Sequence, residues 1–189
     1  MLALKCLNLN VKQGQRCVVL DVGTGSGIIL PKLAERANDV VGLDIHDKLN
    51  QVNRSLKIMS NSNIHLVRAD AHHLPFVDET FQGILCISTL DHLSKPEDCL
   101  NELQRVTAKD GQLIFGIHIE NIVFNLFHLV ILLYSKFRGY ITNVRTRFSE
   151  HIYSDKMLLL FLRKRFLIRK IIRQLSIYCI IVAEPRKYK

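Results

Sequence analysis

A run of glycines directly after an apolar segment is the strongest chemical signal in this sequence. Residues Val18 to Gly27 read VVLDVGTGSG, so a buried strand would lead straight into a glycine-rich turn and then into a helix. Glycine tolerates positive φ and carries no Cβ, so its backbone can turn sharply and approach a ligand closely. At the carboxyl end of a strand in an open α/β sheet, such a turn predicts a nucleotide-binding site.

The spacing of the glycines indicates which kind of nucleotide would bind. A dinucleotide fingerprint reads GxGxxG, whereas this string reads GxGxG and has Ile28 three residues after Gly25. Asp21 lies two residues before the first glycine, where it would repel a pyrophosphate and could accept a hydrogen bond from a cationic or amino-bearing ligand. These features favour a ligand without phosphate, such as S-adenosylmethionine, which carries an ammonium and a sulfonium.

Two further acids follow the second and third predicted strands. Asp44 ends the run VVGLD, where a carboxylate can accept hydrogen bonds from both hydroxyls of an unphosphorylated ribose. Asp70 and Ala71 end the third strand, where an acid and a backbone N–H could bind the edge of an adenine. The alternative for both acids is a surface carboxylate that caps a loop.

Alternating strands and helices must bring these residues together. Apolar runs bounded by turn residues alternate with helical patterns up to residue 118, which predicts parallel strands joined by right-handed crossovers. We therefore expect a single domain over residues 1–189 of the α/β class, with a doubly wound, mostly parallel seven-stranded sheet and a C-terminal antiparallel hairpin. The predicted strands are 17–22, 40–45, 64–69, 81–88, 112–118, 167–174 and 176–183. The predicted helices are 28–37, a polar helix ending near 59, 96–107, 121–134 and 155–165, with a turn at 109–111.

Taken together, these motifs resemble those of class I S-adenosylmethionine-dependent methyltransferases. The matching stretches are VVLDVGTGSG, VVGLDI, RADAHHLPFVDETFQGILCISTLDHL and ELQRVTAKDGQLIF, in family order. They look closest to methyltransferase type 11, the branch that includes the ubiquinone and menaquinone biosynthesis methyltransferases. The last stretch departs from the usual hRVLKPGGxh pattern of the family at Thr107, Ala108 and Asp110. Four ordered motifs are specific, whereas a lone glycine string would not be.

The resemblance implies a Rossmann-like fold, S-adenosylmethionine as cofactor and a role for each matching residue. The glycine loop, residues 23–27, would wrap the methionine part of the cofactor, and Asp21 would orient that loop or the cofactor's amino group. Asp44 would hold the ribose, with Ile45 against the adenine. Ser88 would face the cofactor near the transferring methyl. The implied cofactor-binding residues are Asp21, Gly23, Thr24, Gly25, Ser26, Gly27, Asp44, Ile45, Asp70, Ala71 and Ser88.

Catalysis by such a site requires alignment more than acid–base chemistry. A sulfonium donor is already activated, so holding acceptor, methyl and sulfur in line can supply most of the acceleration. His92, on the loop after the fourth strand, is a candidate general base, and the alternative is a histidine packed at a helix start. His72 and His73 predict no metal site, because adjacent side chains rarely converge on one ion and the spacing places no third ligand.

The acceptor would be recognised by residues 119–153, where such enzymes insert a substrate cap. Their apolar side chains would form a lid or a membrane-facing helix, and the alternative is a core helix that covers the sheet. Residues 136–189 carry 14 Lys and Arg against 3 Asp and Glu, whereas residues 1–135 carry 12 against 14. A basic end often marks an anionic partner, which predicts weak contact with nucleic acid or an anionic membrane. The alternative is a solvated surface that has no partner.

These observations predict a methyltransferase that acts on an unidentified small-molecule or lipid-like acceptor. Two alternatives stay open: an RNA methyltransferase, and a catalytically inert methyltransferase-like binding protein, which the few residues before the first strand would suit. The glycine spacing disfavours an NAD-dependent oxidoreductase.

Five scattered cysteines without a CxxC pair indicate reduced thiols. The N-terminus does not read as a signal peptide, and residues 119–134 are too few for a membrane span. We therefore expect a protein that is cytoplasmic or peripheral at a membrane.

Overall fold

The computed structural model alternates strands and helices along most of the chain. It describes residues 2–9, 14–47, 49–58, 62–119, 153–174 and 178–186, with single positions at 130, 134 and 137. The strands are β1 (Val18–Val22), β2 (Asp39–Asp44), β3 (Ile64–Arg68), β4 (Phe81–Ile87), β5 (Thr107–His118), β6 (Phe166–Gln174) and β7 (Tyr178–Pro185). The helices are α1 (Leu2–Cys6), α2 (Leu30–Ala34), α3 (Leu49–Ile58), α4 (Pro96–Val106) and α5 (Asp155–Arg165), with a short 3₁₀ turn at Leu90–His92.

All seven described strands form one sheet in the order β3-β2-β1-β4-β5-β7-β6. The first five pair in parallel, and β7 runs antiparallel to both β5 and β6. The predicted fold class, a mostly parallel sheet with a C-terminal antiparallel hairpin, is confirmed. The strand order reverses between β1 and β4, where a crevice is expected at the carboxyl ends of the two strands. Open α/β sheets bind their ligands at such a crevice.

Helices cover both faces of this sheet. On one face, α4 and α5 bury Leu100, Leu103 and Leu162 in an apolar cluster. On the other face, α1, α2 and α3 pack against the central strands in a second cluster, which includes Leu7 and Leu33. Strands covered on both sides need near-continuous apolar sequence. This requirement explains why β1, β4 and the second half of β5 read as apolar runs.

The predicted helix at 155–165 has the predicted bounds, and its first residues show why. The backbone N–H of Met157 donates to Ser154 Oγ at 3.4 Å, so Ser154 caps the amino end. Asp155 lies in the first turn, and three basic residues occupy the last turn. The negative charge at the amino end and the positive charges at the carboxyl end interact favourably with the helix dipole, so they stabilise the helix.

The turn predicted at 109–111 is wrong, because β5 continues through these residues. The pairing between β4 and β5 jumps from Phe81 opposite Thr107 to Gly83 opposite Gln112, so the extra residues form an irregularity within the strand. A Cβ at Gly111 would lie only 2.9 Å from the carbonyl oxygen of Phe81. The glycine that suggested a turn therefore permits a close approach between two strands.

The predicted substrate cap at 119–153 lies almost wholly outside the described residues, and so does the predicted helix at 121–134. Of the helices that the structure describes, none is both long and apolar enough to cross a membrane.

Candidate active site at the carboxyl edge of the sheet

The glycine loop lies at the carboxyl end of β1 and is packed at both ends. Gly23, Gly25 and Gly27 all have positive φ, at 73°, 54° and 70°. A Cβ at Gly23 would collide with the Thr89 side chain, and one at Gly27 would lie 2.5 Å from Val52 Cγ1. At Gly25 the nearest atom would be 4.0 Å away. The middle of the loop is therefore open to a ligand, whereas its ends are held against the protein.

The backbone amides of this loop are mostly bonded within the protein. The N–H groups of its first two residues both donate to the Leu43 carbonyl, at 2.8 and 3.0 Å. Gly25 N–H donates to Asp44 Oδ2 at 2.7 Å, and Gly27 N–H donates to the Thr24 carbonyl at 2.9 Å. A phosphate-binding loop instead points successive N–H groups at its anion. With four of its five amides committed, this loop does not suit a phosphate.

Asp21 gives the base of the loop a buried carboxyl. Its side chain accepts a hydrogen bond from Thr24 Oγ1 at 2.7 Å. Burial raises the pKa of Asp21 to about 6; the Thr24 hydrogen bond opposes this rise, and the negative charge of Asp44 adds to it. A cationic group bound beside these two carboxylates would stabilise their charged forms.

Asp44 links the loop to the end of β2. Its carboxylate is buried and accepts from Gly25 N–H through Oδ2 and from His46 N–H through Oδ1, at 2.7 and 3.1 Å. A carboxylate has about four acceptor positions, so two are left for the hydroxyls of a ribose. The next residue, Ile45, is 58 % exposed and supplies an apolar surface where the resemblance implies adenine.

The third acid, Asp70, caps its own loop after β3. Asp70 Oδ1 accepts from the backbone N–H of His72 at 2.9 Å and lies 2.6 Å from His72 Nδ1. The backbone hydrogen bond and then the side-chain hydrogen bond from His72 lower the pKa of Asp70. Ala71 between them is buried. The loop-capping alternative for Asp70 is therefore realised, and its contact with adenine stays a prediction.

Ser88 directly follows β4, at the edge of the sheet that carries the glycine loop. It has a φ of 52°, a conformation that is uncommon for residues other than glycine and is often found at functional sites. Its N–H donates to the Gly116 carbonyl at 2.8 Å, and its Oγ lies 2.9 Å from the hydroxyl of Tyr178. His92 is exposed in the 3₁₀ turn, and its role as a base stays a prediction.

Sequence reasoning missed an acid–histidine pair beside this edge. His118 Nδ1 lies 2.6 Å from Asp91 Oδ2, and the Asp91 side chain is buried. Asp91 follows β4 and His118 ends β5, so the pair meets because these strands are neighbours in the sheet. The available signal was that Asp91 shortly follows the fourth predicted strand and His118 ends the fifth, but pairing them required the strand order.

Two other features of the described residues bear on where a ligand could bind. Among the residues that the structure describes, no group of three His, Cys, Asp or Glu side chains is placed to hold a metal ion. A cavity of about 820 Å³ opens near the amino ends of β4 and β5, on the opposite edge. The Arg105 guanidinium in its wall is already bound by Glu102 and Asp78, at 2.7 and 2.8 Å, so its charge is neutralised within the protein.

Comparison with protein families identifies the class. The family model described as "Methyltransferase domain" matches residues 20–115, which is half of the chain and holds the whole glycine loop and all three acids. The chain belongs to this methyltransferase domain family. The resemblance predicted from the sequence is thereby confirmed, and S-adenosylmethionine, the predicted cofactor, is that of the family.

Individual relatives agree with this class at low identity. A ubiquinone biosynthesis O-methyltransferase of Aliivibrio fischeri is 29 % identical over 113 residues, 59 % of this chain and 48 % of that protein. A phosphatidylethanolamine N-methyltransferase of Cereibacter sphaeroides is 30 % identical over 113 residues, 59 % of this chain and 54 % of that protein. The chain thus spans about half the length of these curated relatives.

A solved structure supports the fold. The crystal structure of a SAM dependent methyltransferase from Aquifex aeolicus has a TM-score of 0.69 to this chain, at 20 % sequence identity. The similarity covers 90 % of this chain and 82 % of the other.

Proposed function

We propose that this chain binds S-adenosylmethionine at the glycine loop and transfers its methyl group to a small-molecule or lipid-like acceptor. The single observation that carries the proposal is the glycine loop itself, open at Gly25 and with four of its five amides bonded inside the protein. Such a loop accepts close contact with a ligand but offers few donors to a phosphate. S-adenosylmethionine has no phosphate.

The charge of the loop supports the same ligand. Asp21 and Asp44 lie close enough for the charge of one to raise the pKa of the other. Two carboxylates beside a binding loop attract a ligand that carries an ammonium and a sulfonium, and they repel a pyrophosphate. When bound, S-adenosylmethionine supplies an activated methyl, and the residues of the chain orient it by holding the ribose at Asp44.

The class of acceptor is inferred from the relatives and from the cap. One of the two curated relatives is named for ubiquinone biosynthesis, and the other is named for phosphatidylethanolamine. A quinone- or lipid-like acceptor would also suit the apolar residues predicted to cap the site at 119–153. A protein acting on such acceptors would work in the cytoplasm or at a membrane surface.

Calorimetry with four ligands tests the cofactor. We expect binding of S-adenosylmethionine and S-adenosylhomocysteine, and none of NAD or ATP at the same concentrations. Asp44→Asn should weaken binding, because it removes the charge that accepts the ribose hydroxyls. The matched control is Asp47→Asn, which neutralises a carboxylate three residues on that is 80 % exposed. Equal effects of the two substitutions would contradict the assignment of Asp44.

Methyl labelling of a cell extract tests the acceptor. S-adenosylmethionine with a tritiated methyl is added with the pure protein, and the extract is split into lipid, RNA, protein and small-molecule fractions. We expect label in the lipid or small-molecule fraction. Cofactor binding without label in any fraction would favour the inert binding protein instead.

An RNA acceptor is the second candidate, and the basic C-terminal third is the observation that favours it. The structure places much of this charge on α5 and on β6, an edge strand separated from β4 by β5 and β7. Part of it is already paired: Arg165 contacts Glu97 at 3.3 Å, and Arg169 contacts Glu184 at 2.7 Å. Paired cations distant from the loop support a small acceptor over RNA, and label in the RNA fraction would reverse this preference.

A further inference from the structure

Four polar side chains meet where β4, β5 and β7 come together, beside the glycine loop. His118 Nδ1 lies 2.6 Å from Asp91 Oδ2, and the hydroxyl of Tyr178 lies 2.9 Å from Ser88 Oγ. The rings of His118 and Tyr178 pack edge to face with centroids 5.0 Å apart, which joins the two pairs. Gly116 makes the arrangement possible, because a Cβ there would collide with the Tyr178 hydroxyl.

Thr89 connects this cluster to the glycine loop. The Thr89 hydroxyl donates to the carbonyl of Val22, the last residue of β1, at 3.0 Å. The same side chain occupies the space that a Cβ at Gly23 would need. Asp91 follows two residues later in the same turn. The acid–histidine pair therefore stands beside the loop, on the β4–β5 side of the crevice.

The geometry fixes the tautomer of His118. The Asp91 side chain is 3 % exposed and that of His118 is 29 % exposed, so the acid is sealed in and the ring is accessible. A buried carboxylate acts as an acceptor, so Nδ1 carries the hydrogen and donates it to Asp91. Nε2 is then the basic nitrogen, as in other enzymes in which an acid orients a histidine base.

Two described neighbours, Tyr178 and Cys86, do not compete with His118 for a proton. Burial raises the pKa of Tyr178 to about 12, with the Ser88 hydrogen bond opposing and the charge of Asp91 adding to the rise. The pKa of Cys86 is raised well above its ordinary value by its hydrogen bond with Cys99, by burial and by nearby charges that include Asp91. Both groups stay protonated at neutral pH, and Asp91 is a charged group in contact with the histidine.

We propose that His118, positioned by Asp91, is the general base that deprotonates a hydroxyl acceptor during methyl transfer. The proton of the acceptor O–H passes to His118 Nε2 as the oxygen forms its bond to the methyl carbon. The carbon–sulfur bond breaks with its electron pair going to sulfur, and the imidazolium that results is balanced by Asp91. This assignment rests on the proposed function, and it specifies an acceptor whose nucleophilic atom must lose a proton.

A ligand pair that differs by one charge tests the position of His118. S-adenosylmethionine is a sulfonium, whereas S-adenosylhomocysteine is a neutral thioether without the methyl. If Nε2 faces the acceptor at the transferring methyl, the sulfonium lies within the few ångströms over which a like charge disfavours protonation of the imidazole, so the titration midpoint should be lower with the sulfonium than with the thioether. The midpoint is measured by NMR on protein with ¹⁵N-labelled histidine, and the His118 signals are assigned by their loss in His118→Gln.

A second histidine–acid pair supplies the internal control. His65 Nε2 lies 3.1 Å from Asp39 Oδ1 on β2 and β3, away from the crevice. Its midpoint should be the same with both ligands. Equal midpoints for His118 would overturn the proposal while leaving cofactor binding intact, and failure of either ligand to bind would overturn the proposed function as well. The ¹⁵N shifts also report the tautomer, and hydrogen on Nε2 in the wild type at high pH would contradict the role of Asp91.

Turnover provides the second measurement. On the extract fraction that the wild type labels, His118→Gln should label about 10²- to 10⁴-fold more slowly, and its rate should rise with pH as hydroxide replaces the lost base. It should bind S-adenosylmethionine as the wild type does. His65→Gln is the matched variant and should label at the wild-type rate. A loss of less than tenfold in His118→Gln would overturn the proposal.

Discussion

Replacing Asp21 with asparagine should stabilise the ligand-free protein at neutral pH. The carboxyl is buried, and its pKa is about 6 in the folded state against an ordinary value of 3.8. A carboxyl with a raised pKa contributes stability that is fully present below the unfolded pKa and is lost as pH rises through the folded pKa. The difference of about two pH units corresponds to about 3 kcal/mol. Asp21→Asn removes this cost and keeps an oxygen that can accept from Thr24.

Denaturant unfolding between pH 4 and pH 8, without cofactor, measures the effect. The variant should match the wild type near pH 4 and exceed it by up to about 3 kcal/mol above pH 7. Glu35→Gln is the control, since Glu35 forms an exposed pair with Lys32 and such pairs contribute at most about 1 kcal/mol. An Asp21→Asn protein that is less stable at pH 7.5, or whose gain is the same at every pH, would refute the electrostatic argument.

Four substitutions and one salt titration give distinct expectations. Asp44→Ala should weaken S-adenosylmethionine binding by roughly 1.5–3 kcal/mol for each charge-assisted hydrogen bond lost, and calorimetry against Asp47→Asn checks this. Gly25→Val should abolish binding with the circular dichroism spectrum retained, whereas Gly23→Ala should lower the unfolding midpoint because its Cβ meets a side chain. Ser154→Ala should cost about 1 kcal/mol in denaturant unfolding through loss of the helix cap. Binding of RNA or anionic vesicles by the basic C-terminal third should largely vanish near physiological salt in an anisotropy or co-sedimentation titration, and binding that persists there would favour an RNA acceptor.

The parts of the fold that sequence predicted are those governed by local rules. Near-continuous apolar runs that alternate with helical patterns predicted the strands of a parallel sheet. Ser154, followed by Asp155, predicted the start of a helix. The glycine loop was predictable because its φ values and its close contacts admit few other residues. The strand irregularity at Gly111 was not, because a glycine that permits a close approach and a glycine that permits a turn look alike in sequence.

The parts of the site that sequence missed depend on contacts between distant segments. Asp91 and His118 are 27 residues apart, and Tyr178 reaches Ser88 across 90 residues. No spacing rule joins such positions, since only the order of β4, β5 and β7 in the sheet makes them neighbours. Sequence therefore led to His92, which lies in the same 3₁₀ turn as Asp91. It missed Asp91 itself and His118 at the end of β5.

The bond between Gly25 and Asp44 has a consequence for how the site binds its ligand. The Asp44 carboxylate is predicted to hold the ribose, and it also accepts a hydrogen bond from the backbone N–H of Gly25, in the loop predicted to wrap the methionine. The loop is therefore held in its open-centred shape before any ligand arrives, so binding costs little ordering of the backbone. The loss expected for Asp44→Ala accordingly has two parts, the missing ribose hydrogen bonds and a released loop. Asp44→Asn separates them in part, because its amide oxygen can still accept from Gly25 N–H while the charge that favours the ribose hydroxyls is gone; its amide nitrogen then faces His46 N–H, so that hydrogen bond is lost as well.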